Sequence, residues 1–309
     1  MNYTLHQLRI FTKVCEFQSV TKASEALFLT QPAVSIQLKK LQEEFEVPLT
    51  EVIGRQLYVT EFGKQIRDLA LEILEKADRI KAATDEYKGV LTGHIKIASA
   101  STGKYVIPYF LTDFMLKYPG VTISIDVTNK MKVVESLQEN SIDFAMVSVI
   151  PQNLSLSCVP LIQNELHLVA STAYPGLPKR MAPKKLEGHT LIFRENGSAT
   201  RAAMETYLHQ NNVQVKRSMR LVSNEAVKQA VRASLGLSIM PLIGIRTELL
   251  INKMMIIPMK GLPIITQWNL AYGMGKRLSP ACKALVEYIQ EHKKVISETH
   301  FSDAKAGTF

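Results

Sequence analysis

Two stretches of this 309-residue chain set hydroxyls and cations where a small anion would be held. Ser99-Ala-Ser-Thr-Gly-Lys-Tyr follows an apolar run at 94–99 and precedes an amphipathic stretch at 105–117. The end of a parallel strand beside a helix N-terminus supplies backbone N–H groups, hydroxyls and the positive end of the helix dipole. Ser101 and Thr102 are the candidates there, with Lys104 a weaker addition, and a plain helix cap accounts for the same residues. Glu195-Asn-Gly-Ser-Ala-Thr-Arg repeats the arrangement. Gly197 permits a tight turn, Ser198 and Thr200 carry hydroxyls, and Arg201 can clamp a phosphate or carboxylate through two parallel hydrogen bonds. Two such cradles in one domain would close on a ligand from opposite lobes.

A different chemistry is written between Ser19 and Leu41, SVTKASEALFLTQPAVSIQLKKL. Thr30 is a good N-cap, Pro32 sits in the first turn where its missing N–H costs nothing, and Val34, Leu38, Leu41 and Phe45 make an inner stripe. At 100° per residue, Pro32, Ser35, Ile36 and Lys39 then point away from that stripe, with Gln31 at the helix tip. A helix in a major groove reads base edges with its N-terminal residues. Gln31 and Ser35 are therefore candidates for base contact and Ile36 for a thymine methyl, while Lys39 and Lys40 suit phosphate. Arg55, after Gly54 at a turn, suits the minor groove or phosphate, unless it is simply a solvated turn residue.

The elements around these residues follow from periodicity. Leu5, Leu8, Phe11, Val14 and Cys15 give a helix over 5–17, Thr21 to Leu27 a short second helix, and 31–45 a third. Residues 47–60 read as a two-stranded wing. From Glu61 to Tyr87 the positions Ile66, Ala70, Ile73, Ala77, Ile80, Thr84 and Tyr87 alternate steps of four and three. That heptad pattern predicts a long helix pairing with a second copy of itself, the alternative being an amphipathic helix packed on its own domain. After Lys88 to Gly93, strands at 94–99, 121–127, 143–149, 166–171, 190–193, 219–223, 237–240 and 268–272 alternate with helices near 105–117, 131–140, 200–211, 225–234 and 279–294. Such alternation predicts a mostly parallel α/β sheet.

The domains expected are 1–60, DNA-binding; 61–90, a dimerising linker helix; and 91–296, ligand-binding. The last divides into a first lobe of about 91–161 with 268–296 and a second of about 162–267. A disordered tail is expected over 297–309.

Net charge is +9, unevenly placed. Residues 1–90 hold twelve Lys and Arg against thirteen Asp and Glu, and the remainder twenty-five against fifteen, so the excess of +10 lies in the C-terminal part. That balance suits an anionic ligand or a secondary DNA contact, and equally plain solubility. No charged-then-apolar leader and no run of roughly 18 apolar residues is present, which predicts a cytoplasmic chain without membrane contact. Cys15, Cys158 and Cys282 have no metal-ligand spacing. There is no Walker loop, no GxGxxG and no nucleophile elbow, and the histidines are scattered, so neither enzyme, cofactor nor metal is expected.

Ser19, Thr21, Ala23, Leu27, Thr30, Gln31, Pro32, Ala33, Val34, Ser35, Leu38 and Leu41 resemble the N-terminal pattern of the LysR-type transcriptional regulators. STGKYVIP (101–108), GSATRAAME (197–205), SNEAVKQAV (223–231), LGL (235–237) and GKRLSPA (275–281) look like its CbbR branch, the regulators associated with RuBisCO and carbon-fixation operons. The resemblance implies an α+β multidomain chain: a winged helix-turn-helix, a long dimerising linker helix and a bilobal α/β effector domain like periplasmic binding proteins. It implies a double-stranded operator, tetramers, RNA polymerase as a further partner, and a metabolite between the lobes. Ser101 and Thr102 on one side and Thr200 and Arg201 on the other match the positions facing it, with Asn129 and Val149 nearby. The chain departs from the family's usual residues at Ser24, Gln42, Thr50 and Val52, which leaves Arg55 as the main wing candidate. Two other classes explain less: a constitutive DNA-architectural protein with an empty cleft, and an enzyme or solute-binding protein built on the bilobal fold.

Overall fold

The computed structural model describes residues 2–54, 56–87, 91–178 and 180–302, residues 79 and 81–87 by backbone alone. The chain separates into two compact units, Met1–Val90 and Leu91–Phe309.

In the first unit, α1 (Leu5–Phe17) starts on a capping box: Gln7 N–H donates to Thr4 Oγ1, and Thr4 N–H to Gln7 Oε1. Ser19 caps α2 (Val20–Ala26) and Thr30 caps α3 (Gln31–Gln42). Leu8, Phe11, Val14, Ala23, Val34, Leu38 and Leu41 close a core between the three helices. The third helix is shorter than its periodicity predicts. After Gln42 the chain turns so that Phe45 stacks on Tyr3 and meets the edge of Phe62. Strands β1 (Thr50–Ile53) and β2 (Gln56–Val59) pair antiparallel as the wing. The long helix α4 (Glu61–Tyr87) follows without a break.

One face of α4 belongs to the first unit's own core. Ala70 and Leu74 are buried there, Ile66 packs beside them, and Arg9 of α1 pairs with Asp78 at 2.8 Å. Ala70 is therefore no part of a free seam. The exposed apolar residues on this helix include Leu69 (55%) and Ile73 (38%), on a different stripe. Thr84 and Tyr87 lie outside the described side chains.

The second unit alternates as the periodicity predicts: β3 (Gly93–Ala100), α5 (Ile107–Lys117), β4 (Val121–Thr128), α6 (Lys130–Gln138) and β5 (Phe144–Val147). Next comes a 16-residue strand, β6 (Leu156–Ser171), then β7 (Thr190–Arg194), α7 (Ala199–Gln210), β8 (Arg217–Leu221), α8 (Asn224–Arg232) and β9 (Ser238–Pro241). A short α9 (Arg246–Leu250), β10 (Met254–Ile256), β11 (Ile264–Gly273) and α10 (Pro280–Phe301) complete it. The sheet is mixed rather than mostly parallel. In the seven-stranded sheet β3 pairs parallel with β4 and β5, but β6 pairs antiparallel with β9, β10 and β11, as does β11 with β5, while β7 and β8 form a separate parallel pair. The reason is topological: β6 carries the chain out of one lobe and β11 carries it back, so the two run in opposite directions. One core gathers Ile95, Phe110, Phe144, Trp268 and Leu285; others gather Leu191, Met204 and Ile239, and Val169, Val227 and Met254.

The chain remains ordered past 296. Helix α10 continues to Phe301, where Ile296 and Phe301 are buried and Phe301 stacks on Phe110 at 6.2 Å. This corrects the expectation of a disordered tail from 297; residues 303–309 lie outside the described residues.

Candidate functional site

The chemistry-bearing residues fall on two surfaces, one in each unit. On α3, Val34, Leu38 and Leu41 are buried, and this leaves Gln31, Pro32, Ile36, Lys39 and Lys40 exposed and Ser35 half-buried. Thr30, exposed, accepts from Ala33 N–H at 3.4 Å and so spends its side chain on capping. Lys39 reaches Glu43 only at 4.0 Å, with both side chains mostly in water, a pairing too weak to hold the ammonium from another partner. Arg55 lies outside the described residues. Phe28, in the turn before α3, is also exposed, and no periodicity in the sequence marks it.

In the second unit a narrow cleft, open to solvent, lies between the lobes. One wall is Ala100, Ser101 and Thr102 at the end of β3, Asn129 and Lys130 at the start of α6, and Ser148 and Val149 after β5. The other is Arg194 at the end of β7 with Ser198, Ala199, Thr200 and Ala203 of α7. Asn164 and Leu166 of β6 and Thr266 and Trp268 of β11 close the floor. Two helices begin here, each with a polar N-cap: Asn129 Oδ1 accepts from Lys132 N–H at 3.1 Å, and Ser198 Oγ from Arg201 N–H at 3.4 Å. Their positive ends, with Lys130 and Arg194, give the cavity a cationic lining suited to an oxyanion.

The lobes touch across this cavity. Met131 N–H donates to Gly197 O at 3.3 Å, and Asn224 Nδ2 donates to Thr102 Oγ1 at 2.7 Å. Gly197 has φ of 82°, and a Cβ on it would come within 2.9 Å of Met131 Cβ. Only glycine allows that turn and that approach together.

Six of the expected cleft residues therefore line one cavity: Ser101, Thr102, Asn129, Val149, Ser198 and Thr200. Lys104 and Arg201 do not. Lys104 is exposed and lies over the Tyr105 ring at 5.1 Å. The Arg201 guanidinium is taken up by Glu205 one turn along at 2.8 Å, by Arg194 O at 3.2 Å and by the face of Phe193 at 5.8 Å. The arginine that does line the cavity is Arg194, only 4% exposed, held by two parallel 2.8 Å hydrogen bonds from Nε and Nη2 to Glu195. That fork leaves Nη1 uncommitted among the described contacts.

Two polar atoms of the floor are also buried without a partner among the described residues: the Trp268 indole N–H and Asn164 Oδ1. Asn164 Nδ2 already donates to Thr266 Oγ1 at 2.8 Å. Buried polar atoms are normally paired, so these mark where a ligand or water would bind. A lone tryptophan is the one sign in the sequence that could have drawn attention to the floor; nothing in the local pattern distinguishes Arg194 from other strand-end arginines.

The thiols have no role in this arrangement. Burial pushes Cys15 up to about 12 and Cys282 up to about 11, which keeps both as inert thiols at neutral pH. Among the described residues no cluster of His, Cys, Asp or Glu could hold a metal ion, and no helix is long and apolar enough to cross a membrane.

Comparison with known proteins covers both units. Residues 5–64 match the bacterial regulatory helix-turn-helix protein family of lysR type, and residues 88–294 match the LysR substrate binding domain. The chain is 34% identical over 297 residues to the HTH-type transcriptional activator CmpR of Synechocystis, covering 96% of this chain and 98% of that protein. It is 36% identical to the RuBisCO operon transcriptional regulator of Allochromatium vinosum, covering 94% and 96%. Among solved structures, the Synechocystis CcmR regulatory domain in complex with 2-PG is similar, with 32% identity, a TM-score of 0.62, and coverage of 66% of this chain and 98% of that one. With both parts matched and relatives above 30% identity along nearly the whole length, the chain belongs to the LysR family of DNA-binding transcription regulators.

Proposed function

We propose that this regulator reads an operator through Gln31, Pro32, Ser35, Ile36, Lys39 and Lys40, with Arg55 on the wing, and that a small phosphorylated or carboxylated acid in the cleft changes how it does so. The observation that carries the second half is the cavity itself: two helix N-termini, a buried arginine and an unpartnered indole N–H converge on one space between two lobes. Each of these favours an oxygen anion. Ser101, Thr102, Ser198 and Thr200 supply the remaining donors, with Asn129 and Val149 shaping the wall.

The relatives support a regulon in carbon metabolism, since the one from Allochromatium vinosum is named for the RuBisCO operon. One relative's regulatory domain holds 2-PG, which makes 2-PG the first compound to try. The protein acts in the cytoplasm, as a homodimer formed through the exposed stripe of α4 and assembled further into tetramers, with RNA polymerase as the final partner.

Trp268 is the single tryptophan of the chain and lines the cleft, so its fluorescence is a probe of that site. Titrating the full chain with 2-PG and, separately, with inorganic phosphate should change that emission at micromolar to millimolar 2-PG, with phosphate weaker. Calorimetry on the same samples gives the stoichiometry. If neither 2-PG nor a panel of phosphorylated and carboxylated acids alters the emission or releases heat, the cleft is not an effector site.

A further inference from the structure

Phe28 lies between α2 and α3 with its side chain 96% exposed and its backbone at φ of 54°. Both features are costly. Left-handed backbone is the region where helices usually end on glycine, and a bulky residue there is an outlier. A benzyl group in water forfeits the burial that favours Phe11, Phe45 and Phe62 of this unit. Its neighbours do the opposite: Leu27 and Leu29 are half-buried and pack on the core of the unit. The backbone around it is satisfied, with Phe28 N–H donating to Glu25 O at 3.2 Å and Leu29 N–H to Ser24 O at 2.9 Å. The ring is therefore not displaced by a failed turn; the turn is well made and presents the ring outward.

The position decides what the ring meets. Two residues separate Phe28 from Gln31 at the tip of α3, and Pro32 and Ile36 continue an exposed apolar line along that helix. When the N-terminus of such a helix enters a major groove, the turn before it lies at the groove edge, over deoxyribose and the outermost base. We infer that Phe28 is a DNA contact, its ring packing on sugar and on a thymine methyl at the edge of the groove that α3 reads. Such apolar contact carries sequence preference for thymine, unlike a phosphate contact. The inference rests on the reading of α3 as the recognition helix.

The test uses the full chain and the duplex that the wild type enriches most from a random 40-bp library. Phe28→Asn removes the ring and is at ease in left-handed backbone. It should melt no lower than the wild type, and its dissociation constant for that duplex should rise roughly ten-fold, the weight of one good groove contact. Phe28→Trp should stay within about three-fold. Gln31→Ala is measured alongside. If it weakens the selected duplex while Phe28→Asn binds as the wild type, the assignment of Phe28 is wrong and that of α3 stands. If both bind unchanged, or no duplex is enriched, α3 is not the reading helix and the inference falls with it. A Phe28→Asn chain that loses self-association in sedimentation yet keeps its DNA affinity would make the ring a protein contact and overturn the inference equally.

Discussion

Two arginines seven residues apart show how little a side chain's identity decides by itself. Arg194 and Arg201 flank the same loop, yet Glu205 draws one guanidinium out to the surface of α7 while Glu195 holds the other, buried, against the cavity. The account predicts that Arg194→Gln weakens the cleft acid by about 1.5–3 kcal/mol, the size of a hydrogen bond to a charged group, and that Arg201→Gln costs far less. Calorimetric titration of both variants decides it, and the reverse order would return Arg201 to the site. Trp268→Phe deletes the indole N–H together with part of a buried ring, so it should cost at least about 1 kcal/mol of affinity. On α3, Gln31→Ala should lose about 1–3 kcal/mol on the selected duplex and little on random DNA, whereas Lys39→Ala should weaken both alike. Binding curves on the two duplexes separate these outcomes. At this scale the outward residues of α3 could be read from the sequence, because helical periodicity sets their direction. Asn164, Thr266 and Trp268 could not, because they meet only where two strands distant in sequence pair, Asn164 opposite Thr266.

Among elements, α4 was legible in length and ambiguous in face. Its pattern of fours and threes contains two stripes, and the sequence alone does not say which one the core of the unit takes. Ala70 and Leu74 go inward, and Leu69 and Ile73 stay out. Ile73→Lys should therefore leave the unit folded and turn a dimer into a monomer, since it places a charge in the exposed stripe. Sedimentation of the full chain tests this, and an unchanged oligomer would move the dimer contact off α4. Strand β6 was half seen: its first part carries Pro160, opposite Asn269 beside a break in register, and proline in a strand erases the alternation by which strands are recognised. Gly197 sits where the lobes touch. Gly197→Ala should hold them apart and weaken the acid without unfolding the chain, which a melting curve and a titration together would show.

For the whole molecule, the alternation of strands and helices in the second unit was legible, while the direction of β6 and β11 was not, because a strand's own sequence does not tell which way its partner runs. Two histidines of this unit make its stability depend on pH. Burial and then Lys96 hold His94 below the usual imidazole value, and burial and then Arg217 do the same for His189. The unfolded chain then binds more protons than the folded one just below pH 6.5, so their contribution is complete above that pH and is lost as pH falls toward the folded values. The melting temperature should be lower at pH 5.5 than at pH 7.5, and His94→Gln with His189→Gln should narrow the gap. No change in the gap would assign the pH response elsewhere.

The central claim is that an acid in the cleft alters the complex that α3 makes with DNA, and footprinting of the full chain on its selected duplex tests it most directly. With the acid that calorimetry places in the cleft, the wild-type footprint should change in extent or in the concentration at which it forms, and the Arg194→Gln footprint should stay as it is without the acid. A wild-type footprint that is identical with and without a bound acid would contradict the account.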